Sequence, residues 1–332
     1  MTRAELIFLA GFPRSGTTWF SNLINANPTV AYRHEFLGRL WDELPEDLFT
    51  RMKIPGGLSA EQQATVIRSI LEAQIEADRP PFFPKVNLRL GNDRLHHVCW
   101  LLAKSLPAVL ATPYRLLFTP VIGRECVLLV KETRSAVDMD AILENLKPAL
   151  CVFLFRNPCG ALASRIRGIR QGRMAPPTAD QLKEIVARNE KNMAELNVDT
   201  ELGAWETRTV EAKLALMWNL QNLAYLKLSK DHRSLVVDYD DFYARRHEQT
   251  KSLLVELGLG SQENSLQFIR SAESPGMSIK KMDAGSEYYS VFRGENFDPN
   301  TWESELSRDQ IAEISEITAS VYAQMQQAAW GQ

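Results

Sequence analysis

Short runs of consecutive apolar residues recur along the chain, and each is followed by turn residues and then by a helical pattern. Residues 6–10, 126–130 and 150–155 form such runs. Uninterrupted apolar runs of this length are typical of strands buried on both faces of a parallel sheet. Strands that alternate with amphipathic helices predict an α/β fold, with a central parallel β-sheet flanked by helices.

Helix starts are marked by a hydroxyl residue followed three positions later by glutamine. This capping-box spacing occurs at Ser59 with Gln62, at Thr178 with Gln181 and at Ser307 with Gln310. The chain contains no internal repeats, low-complexity tracts or long linkers, so one domain is the simplest interpretation.

The first apolar run leads into residues 11–18, Gly-Phe-Pro-Arg-Ser-Gly-Thr-Thr, which has the form of a phosphate-binding turn. Gly11 and Gly16 permit a tight turn and a close backbone approach. A helix predicted from Thr17 to about Ala26 points its unpaired N–H groups at this loop, where an anion is held best. Thr17 stands where a nucleoside-triphosphate enzyme carries its phosphate-binding lysine. The loop therefore predicts an anion site that is poorly suited to a triphosphate.

Side chains of the loop add to the anion site. Arg14 supplies a planar fork of donors, and Ser15, Thr17 and Thr18 supply hydroxyl groups. The alternative is a strand-turn-helix that holds two glycines by chance, because short motifs produce false matches.

A second candidate phosphate site follows the apolar run at 150–155, which ends at Arg156. Residues 160–169 then form a helical pattern that contains Ser164. An arginine at a strand end and a serine in the next helix can hold one phosphate from two sides. Ligands of open α/β sheets bind outside the carboxyl ends of the strands, so both sites are expected to face one crevice. A nucleotide with phosphates at both ends of its ribose would fill it.

With both segments in view, the chain resembles the sulfotransferases that use 3′-phosphoadenosine 5′-phosphosulfate (PAPS). Residues 13–19, Pro-Arg-Ser-Gly-Thr-Thr-Trp, resemble the family's 5′-phosphosulfate loop, and Phe-Arg-Asn-Pro at 155–158 resembles its 3′-phosphate site. The resemblance implies a P-loop-like fold, PAPS as sulfuryl donor, 3′-phosphoadenosine 5′-phosphate (PAP) as product, and no metal. It also implies cofactor-binding roles for Arg14, Ser15, Gly16, Thr17, Thr18, Trp19, Arg156 and Ser164.

Two further segments resemble the family less closely. Residues 235–241 resemble its strand and tyrosine-acid-acid segment, which implies that Tyr239 lies near the adenine. A half-buried aromatic at a strand end is an equally good interpretation of Tyr239. Arg293 and Gly294 stand where cytosolic members carry Arg-Lys-Gly, which implies a contact with the 3′-phosphate.

Sulfuryl transfer needs cations along the transferring group, and Arg14 and Lys131 are the candidates. Lys131 follows the apolar run at 126–130, so it is expected at the same sheet edge as the phosphate sites. It also resembles the lysine of the family's Lys-Thr-His or Lys-Asp-Pro segment. A solvated charge at a strand end is the alternative.

The transfer also needs a general base for the acceptor hydroxyl. Cytosolic members place a histidine two residues after the lysine, but this chain has Thr133 there. Glu35 stands at the position of the glutamate in tyrosylprotein and carbohydrate sulfotransferases, and its apolar neighbours are expected to raise its pKa. Glu132 and then His34 are the alternative bases, and a surface glutamate without a role remains possible for Glu35.

We divide the single sulfotransferase domain, residues 1–332, into three parts. Residues 5–35 form the phosphosulfate loop and first helix, residues 36–125 a helical insert expected to bind the acceptor, and residues 126–332 the 3′-phosphate site, adenine region and C-terminal helix. A carboxylate base favours transfer to a hydroxyl over transfer to an amine. The acceptor class remains open among small molecules, lipids and glycans. Rival functions are a small-molecule P-loop kinase and a non-catalytic nucleotide-binding protein.

Composition limits the partners and the compartment. A formal net charge of −3 argues against general binding of nucleic acid. Neither a transmembrane stretch nor a leader is evident, so a cytoplasmic enzyme without stable membrane insertion is expected, with a homodimer possible. The four cysteines lack metal-ligand spacing, and His96-His97 is interpreted as a helix-surface pair. The arginines at 165, 167, 170 and 173 favour a solvated helical face over a lid on an anionic cofactor or a contact for a polar acceptor.

Overall fold

The protein contains a parallel sheet with helices on both faces. The computed structural model describes residues 5–37, 44–121, 123–133, 138–188, 207–260, 262–273 and 298–331. Within these ranges five strands are ordered β2-β3-β1-β4-β5. The strands are β1 (Glu5–Gly11), β2 (Val30–His34), β3 (Val127–Glu132), β4 (Leu150–Phe155) and β5 (Ser234–Asp238). The predicted α/β fold is confirmed, although the short edge strand β2 was not predicted.

Helices connect and cover these strands. In chain order the described ranges contain α1 (Thr17–Asn25), α2 (Glu46–Met52), α3 (Ala60–Leu71), α4 (Asp93–Ser105), α5 (Pro107–Phe118), α6 (Met139–Leu146), α7 (Pro158–Arg170), α8 (Ala179–Arg188), α9 (Val210–Asp231), α10 (Tyr239–Ala244), α11 (Arg246–Glu256), α12 (Glu263–Glu273), α13 (Trp302–Glu305) and α14 (Arg308–Gln327). The predicted capping boxes of α3 and α14 are confirmed, since serine and glutamine bond reciprocally at each start. Within the described part of the chain, no helix is both long and apolar enough to span a bilayer.

Alternate residues of the strands pack into different halves of the core. In β1, Ile7 and Leu9 join a cluster with residues of α1, α11 and α12, whereas Phe8 and Ala10 join a cluster with residues of α3, α6 and α9. Because both faces are covered, the strands carry apolar side chains on both sides. The continuous runs of the sequence follow from this three-layer arrangement.

The strand order determines where a ligand can bind. All four strand pairs are parallel, so the carboxyl ends of the strands share one edge of the sheet. β1 lies between β3 and β4, and the chain leaves it toward β2 and β3 before it crosses to β4 and β5. This reversal makes a crevice at the carboxyl end of β1, where open α/β sheets bind ligands.

A buried polar network fastens the helical hairpin α4–α5 to the edge strand β2. Arg33 of β2 donates from Nη1 to Asp78 Oδ1 at 2.9 Å, and both side chains are buried. The Tyr114 hydroxyl of α5 donates to Asp78 Oδ2 at 2.8 Å, and His96 Nε2 of α4 lies 3.0 Å from the same hydroxyl. One buried carboxylate therefore links α5 of the hairpin to the edge strand.

We expect Asp78→Ala to lower the free energy of unfolding by about 3–5 kcal/mol, because it leaves the Arg33 charge buried without its partner. Tyr114→Phe removes the hydrogen bonds of its hydroxyl to Asp78 and His96 but leaves the ion pair, and should cost only about 1–2 kcal/mol. Denaturant unfolding of both variants measures the difference. Equal losses in the two variants would contradict the central role of the Arg33–Asp78 pair.

Candidate active site

The loop between β1 and α1 turns through two residues in the left-handed region. Arg14 has φ 77° and Gly16 has φ 85°, and Ser15 N donates to Phe12 O at 3.0 Å. No described side chain caps the N-terminus of α1. The N–H groups of the first turn therefore remain available to an anion at the loop, as predicted from the glycine spacing.

Tyr239 packs directly against this loop. A Cβ atom on Gly16 would lie 2.2 Å from Cε2 of the Tyr239 ring, so only glycine fits at this position. Tyr239 is fully buried at the start of α10, and its ring meets Trp19 edge-on at a centroid distance of 6.1 Å. It is therefore a buried part of the loop wall, not a half-buried aromatic. Trp19 lies in the core and supports that wall from behind.

A side-chain hydrogen bond joins the two predicted phosphate sites. Arg14 Nε of the loop donates to Ser164 Oγ of α7 at 2.9 Å, although the residues are 150 positions apart. Both lie at the carboxyl edge of the sheet, one after β1 and the other in the helix after β4. The expectation that the two segments lie at one edge of the sheet is therefore met, whereas the binding of phosphate by either segment stays a prediction.

Arg156 follows β4, and several groups around its guanidinium hold it, among them Gly160 O, which accepts from Nη1 at 3.4 Å. Its Nε donates to Asp240 Oδ1 at 3.0 Å, its Nη2 donates to Pro299 O at 2.8 Å, and its guanidinium lies 5.6 Å from the centre of the Tyr239 ring. Asp240 also accepts from Asn157 N at 3.0 Å. This role of Asp240 was not predicted from the sequence. Its position in the tyrosine-acid-acid segment was the available signal.

A second cluster forms where β2 and β3 end. Lys131 Nζ donates to Glu35 Oε1 at 2.8 Å and lies 3.3 Å from Thr18 Oγ1 at the start of α1. The Thr133 hydroxyl donates to the same Glu35 oxygen at 3.0 Å. Glu35 has φ 47°, and its N–H donates to Lys131 O at 2.8 Å. The candidate base and the candidate cation are therefore paired with each other beside the anion loop.

The pairing determines the charge state of Glu35. Burial alone would raise the pKa of Glu35. The charges of Lys131 and His34 and the hydrogen bonds from Lys131 and Thr133 have the larger, opposite effect and lower the pKa from 4.5 to about 2. The expectation of a raised pKa is therefore wrong for this state, because the sequence did not reveal the ion pair. Burial lowers the pKa of Lys131, and the neighbouring Glu35 carboxylate opposes that effect.

The two alternative bases lie in different surroundings. Glu132 is fully buried, and its carboxylate accepts from Thr133 N at 2.9 Å and from Leu37 N at 3.3 Å. His34 Nε2 lies 3.7 Å from Glu35 Oε1, and its Nδ1 lies 2.9 Å from the Tyr32 hydroxyl. Glu132 thus joins the backbone after β3 to the backbone after β2 through hydrogen bonds, whereas His34 lies beside the Glu35 carboxylate.

The arginines of α7 and the joint after it do not share one environment. Arg165 is buried with its guanidinium 5.3 Å from the centre of the Phe12 ring. Arg167 pairs with Glu305 of α13. Arg170 and Arg173 are exposed. The solvated-face interpretation is therefore wrong for Arg165, which stacks on the phosphate loop.

The outcomes of three other predictions follow. His96 is buried between the rings of Phe82 and Phe118, which corrects its interpretation as a helix-surface residue. Burial lowers the pKa of His96 to about 3. Arg293 and Gly294 lie outside the described residues. Within those residues, no group of three or more His, Cys, Asp or Glu side chains is arranged to hold a metal ion.

Comparison with models of known protein families gives a match. The model of a family described as the sulfotransferase family matches residues 6–263, from β1 to the start of α12. No curated protein matches the chain.

The Glu35–Lys131 pair predicts a pH-dependent stability. Because the folded state lowers the pKa of Glu35 from 4.5 to about 2, its contribution is complete above pH 4.5 and is lost as the pH falls toward 2. We expect the excess unfolding free energy of wild type over Glu35→Gln to fall by about 1–3 kcal/mol between roughly pH 6 and 2. Chemical denaturation across this range measures it. Glu256→Gln removes an exposed glutamate of α11 and serves as the control. If the excess unfolding free energy of wild type over Glu256→Gln fell equally with pH, the assignment to Glu35 would be contradicted.

Proposed function

The chain belongs to the sulfotransferase family, and from this premise we propose that it transfers a sulfuryl group from PAPS to a hydroxyl group, or less readily an amine. Membership makes the protein a transferase of the sulfotransferase class. The acceptor proposed is a small molecule, a lipid or a sugar-bearing compound. One observation carries the choice of donor. The 2.9 Å hydrogen bond from Arg14 to Ser164 brings two anion sites together, as a nucleotide phosphorylated at both ends of its ribose requires.

The groups around the loop fit the phosphosulfate end of PAPS. The Ser15 hydroxyl is fully buried and has no hydrogen-bond partner among the described residues, which is unusual for a buried polar group. It stands beside the first N–H groups of α1, whose helix dipole favours an anion. We assign Arg14, Ser15, Gly16, Thr17 and Thr18 to the phosphosulfate. Trp19 supports them through its contact with Tyr239.

The second anion site fits a 3′-phosphate. Arg156 and Ser164 supply a guanidinium and a hydroxyl, and the Arg14 contact ties Ser164 to the loop. Tyr239 contacts both Gly16 and the Arg156 guanidinium, so it lies between the two sites, where we place the nucleoside. Arg293 and Gly294 remain a proposal from the sequence resemblance alone. PAPS supplies the sulfuryl group, and PAP leaves after transfer.

Glu35 is proposed to accept the proton of the acceptor hydroxyl. In the described state the Lys131 ammonium holds the Glu35 pKa at about 2, which makes the carboxylate a weak base. An anion bound at the loop competes for Lys131, because the ammonium already lies 3.3 Å from Thr18 of the loop. As Lys131 turns to that anion, its lowering effect declines and burial raises the Glu35 pKa. Donor binding then activates the base, and Lys131 and Arg14 stabilise the developing negative charge.

Other assignments have less support. Glu132 is fully buried and bonded to backbone, so a substrate proton reaches it less readily than it reaches Glu35. His34 is the closer alternative. A small-molecule kinase would need a lysine in the position of Thr17. A non-catalytic nucleotide-binding protein would have no use for the Glu35–Lys131–Thr133 cluster.

The proposal predicts selective binding of PAP. PAP at about one hundred times its dissociation constant should stabilise the protein by roughly 2.7 kcal/mol, with or without Mg²⁺, which raises the melting temperature by several degrees. Arg14→Ala and Arg156→Ala should reduce this rise strongly. Arg170→Ala removes an exposed arginine of α7 and should not.

Thermal unfolding with PAP, 5′-AMP or ATP measures the rise. An equal shift with 5′-AMP would remove the evidence for a 3′-phosphate site. A shift only with ATP and Mg²⁺ would favour the kinase.

The proposal also separates binding from turnover at Glu35. Glu35→Gln keeps the shape of the side chain but cannot accept a proton, so it should lower the turnover by about 10²- to 10⁴-fold and preserve PAP binding. Release of PAP from PAPS in the presence of pooled alcohol, lipid and sugar acceptors measures turnover, with Glu256→Gln as control.

Unchanged turnover in Glu35→Gln would move the base to His34 or Glu132. Tight PAP binding by a wild-type protein that sulfates none of these acceptors would favour the non-catalytic alternative.

A further inference from the structure

The hairpin α4–α5 exposes large apolar side chains on its outer surface. Among the described residues, eleven large apolar side chains are strongly exposed, and eight of them lie in this hairpin. The eight are Leu95, Val98, Leu101, Leu102, Leu106, Val109, Leu116 and Leu117. Extended exposed apolar patches on soluble proteins mark interaction sites more often than single exposed residues do.

The exposed side chains belong to a face distinct from the one that packs on the protein. Trp100 and Ala103 of α4 and Tyr114 and Phe118 of α5 form the inner cluster of the hairpin. At its tip, Leu106 N donates to Leu102 O at 3.0 Å and Val109 N donates to Leu106 O at 3.2 Å. Leu102, Leu106 and Val109 therefore follow one another turn by turn across the junction of the helices. The hairpin is apolar on both sides, but only one side has a partner within the described residues.

The charge of this segment differs from that of the protein as a whole. Between residues 89 and 124 the basic residues are Arg89, Arg94, Lys104, Arg115 and Arg124, and the only acidic residue is Asp93. The complete chain carries a formal net charge of −3. Lys104 lies between exposed leucines in sequence, and its ammonium lies 4.9 Å above the Trp100 ring. Arg115 pairs with Glu72 at 3.3 Å, so the exposed cations of the hairpin without a carboxylate partner among the described residues are Arg94 and Lys104 of α4. These two residues give the apolar hairpin positive charge on an otherwise slightly acidic protein.

We propose that the exposed face of the α4–α5 hairpin adsorbs reversibly to an anionic lipid bilayer. Apolar side chains bordered by lysine and arginine are the combination that binds in the interface of such a bilayer, with leucine among the acyl chains and cations at the headgroups. A second copy of the chain fits less well, because a two-fold interface would bring the same cations together. The inference does not depend on sulfuryl transfer, and adsorption of this kind is peripheral and involves no membrane span.

Flotation with lipid vesicles tests this proposal on the full-length protein. We expect the partition coefficient to be about tenfold higher on phosphatidylcholine vesicles containing roughly 30% phosphatidylserine than on pure phosphatidylcholine vesicles, and to fall as salt increases. The variant Leu102→Gln/Leu106→Gln/Val109→Gln should reduce binding to the anionic vesicles about tenfold or more. Arg94→Glu/Lys104→Glu should also reduce it about tenfold.

Two matched controls separate the face from general surface effects. Val255→Gln replaces an exposed valine of α11, and Lys251→Glu reverses an exposed charge of the same helix. Both should bind vesicles as the wild type does, and all variants should keep the wild-type melting temperature because the positions are exposed.

Wild type that does not bind anionic vesicles, or equal losses in the α11 controls, would overturn the proposal. A dimer in light scattering that the triple glutamine variant abolishes, without vesicle binding by the wild type, would assign the face to a second copy.

Discussion

The phosphate loop can approach the rest of the crevice only because two of its residues have no side chain. A Cβ atom on Gly11 would lie 2.6 Å from Leu154 O of β4, and one on Gly16 would enter the Tyr239 ring. These contacts hold β1, its loop and α1 against β4 and the start of α10. The Arg14–Ser164 hydrogen bond forms across the gap that they close. The two proposed anion sites are therefore close together because the backbone fits closely at these two glycines.

Electrostatics in the crevice follow one pattern. Lys131 is buried and paired with Glu35, and Arg156 is buried and paired with Asp240. Buried charges without partners are costly, so a site rich in cations needs carboxylates within reach while no anionic ligand is bound. One such carboxylate is the proposed base, which links ligand binding to proton transfer through a single lysine.

Some parts of the fold and of the site could be predicted from the sequence, and others could not. β1, β4 and the loop were predictable because apolar runs, glycine spacing and the helix start are local signals. The expectation that the loop and the Arg156–Ser164 segment lie at one edge of the sheet needed only the rule for parallel strand ends. β2 was missed because Arg33 interrupts its short apolar pattern, and that charge can be buried because Asp78 and several backbone carbonyl groups accept its hydrogen bonds. The low pKa of Glu35 and the pairing of Arg156 with Asp240 depend on contacts between residues about 80 to 100 positions apart. Local patterns carry no information on such contacts.

The carboxylate of Asp240 has a consequence for ligand selection. The Asp240 carboxylate already accepts a hydrogen bond from Arg156 Nε. An anion that approaches the Arg156 guanidinium therefore competes with a carboxylate that the protein itself holds there. A free phosphate ion competes from its bulk concentration alone and is disfavoured. A ligand whose other end is held at the loop presents its second anion to Arg156 at a high effective concentration. That anion can displace the Asp240 carboxylate from the guanidinium or bind the guanidinium together with it. If Arg156 holds the 3′-phosphate as we propose, Asp240 selects against single anions and in favour of anions joined in pairs.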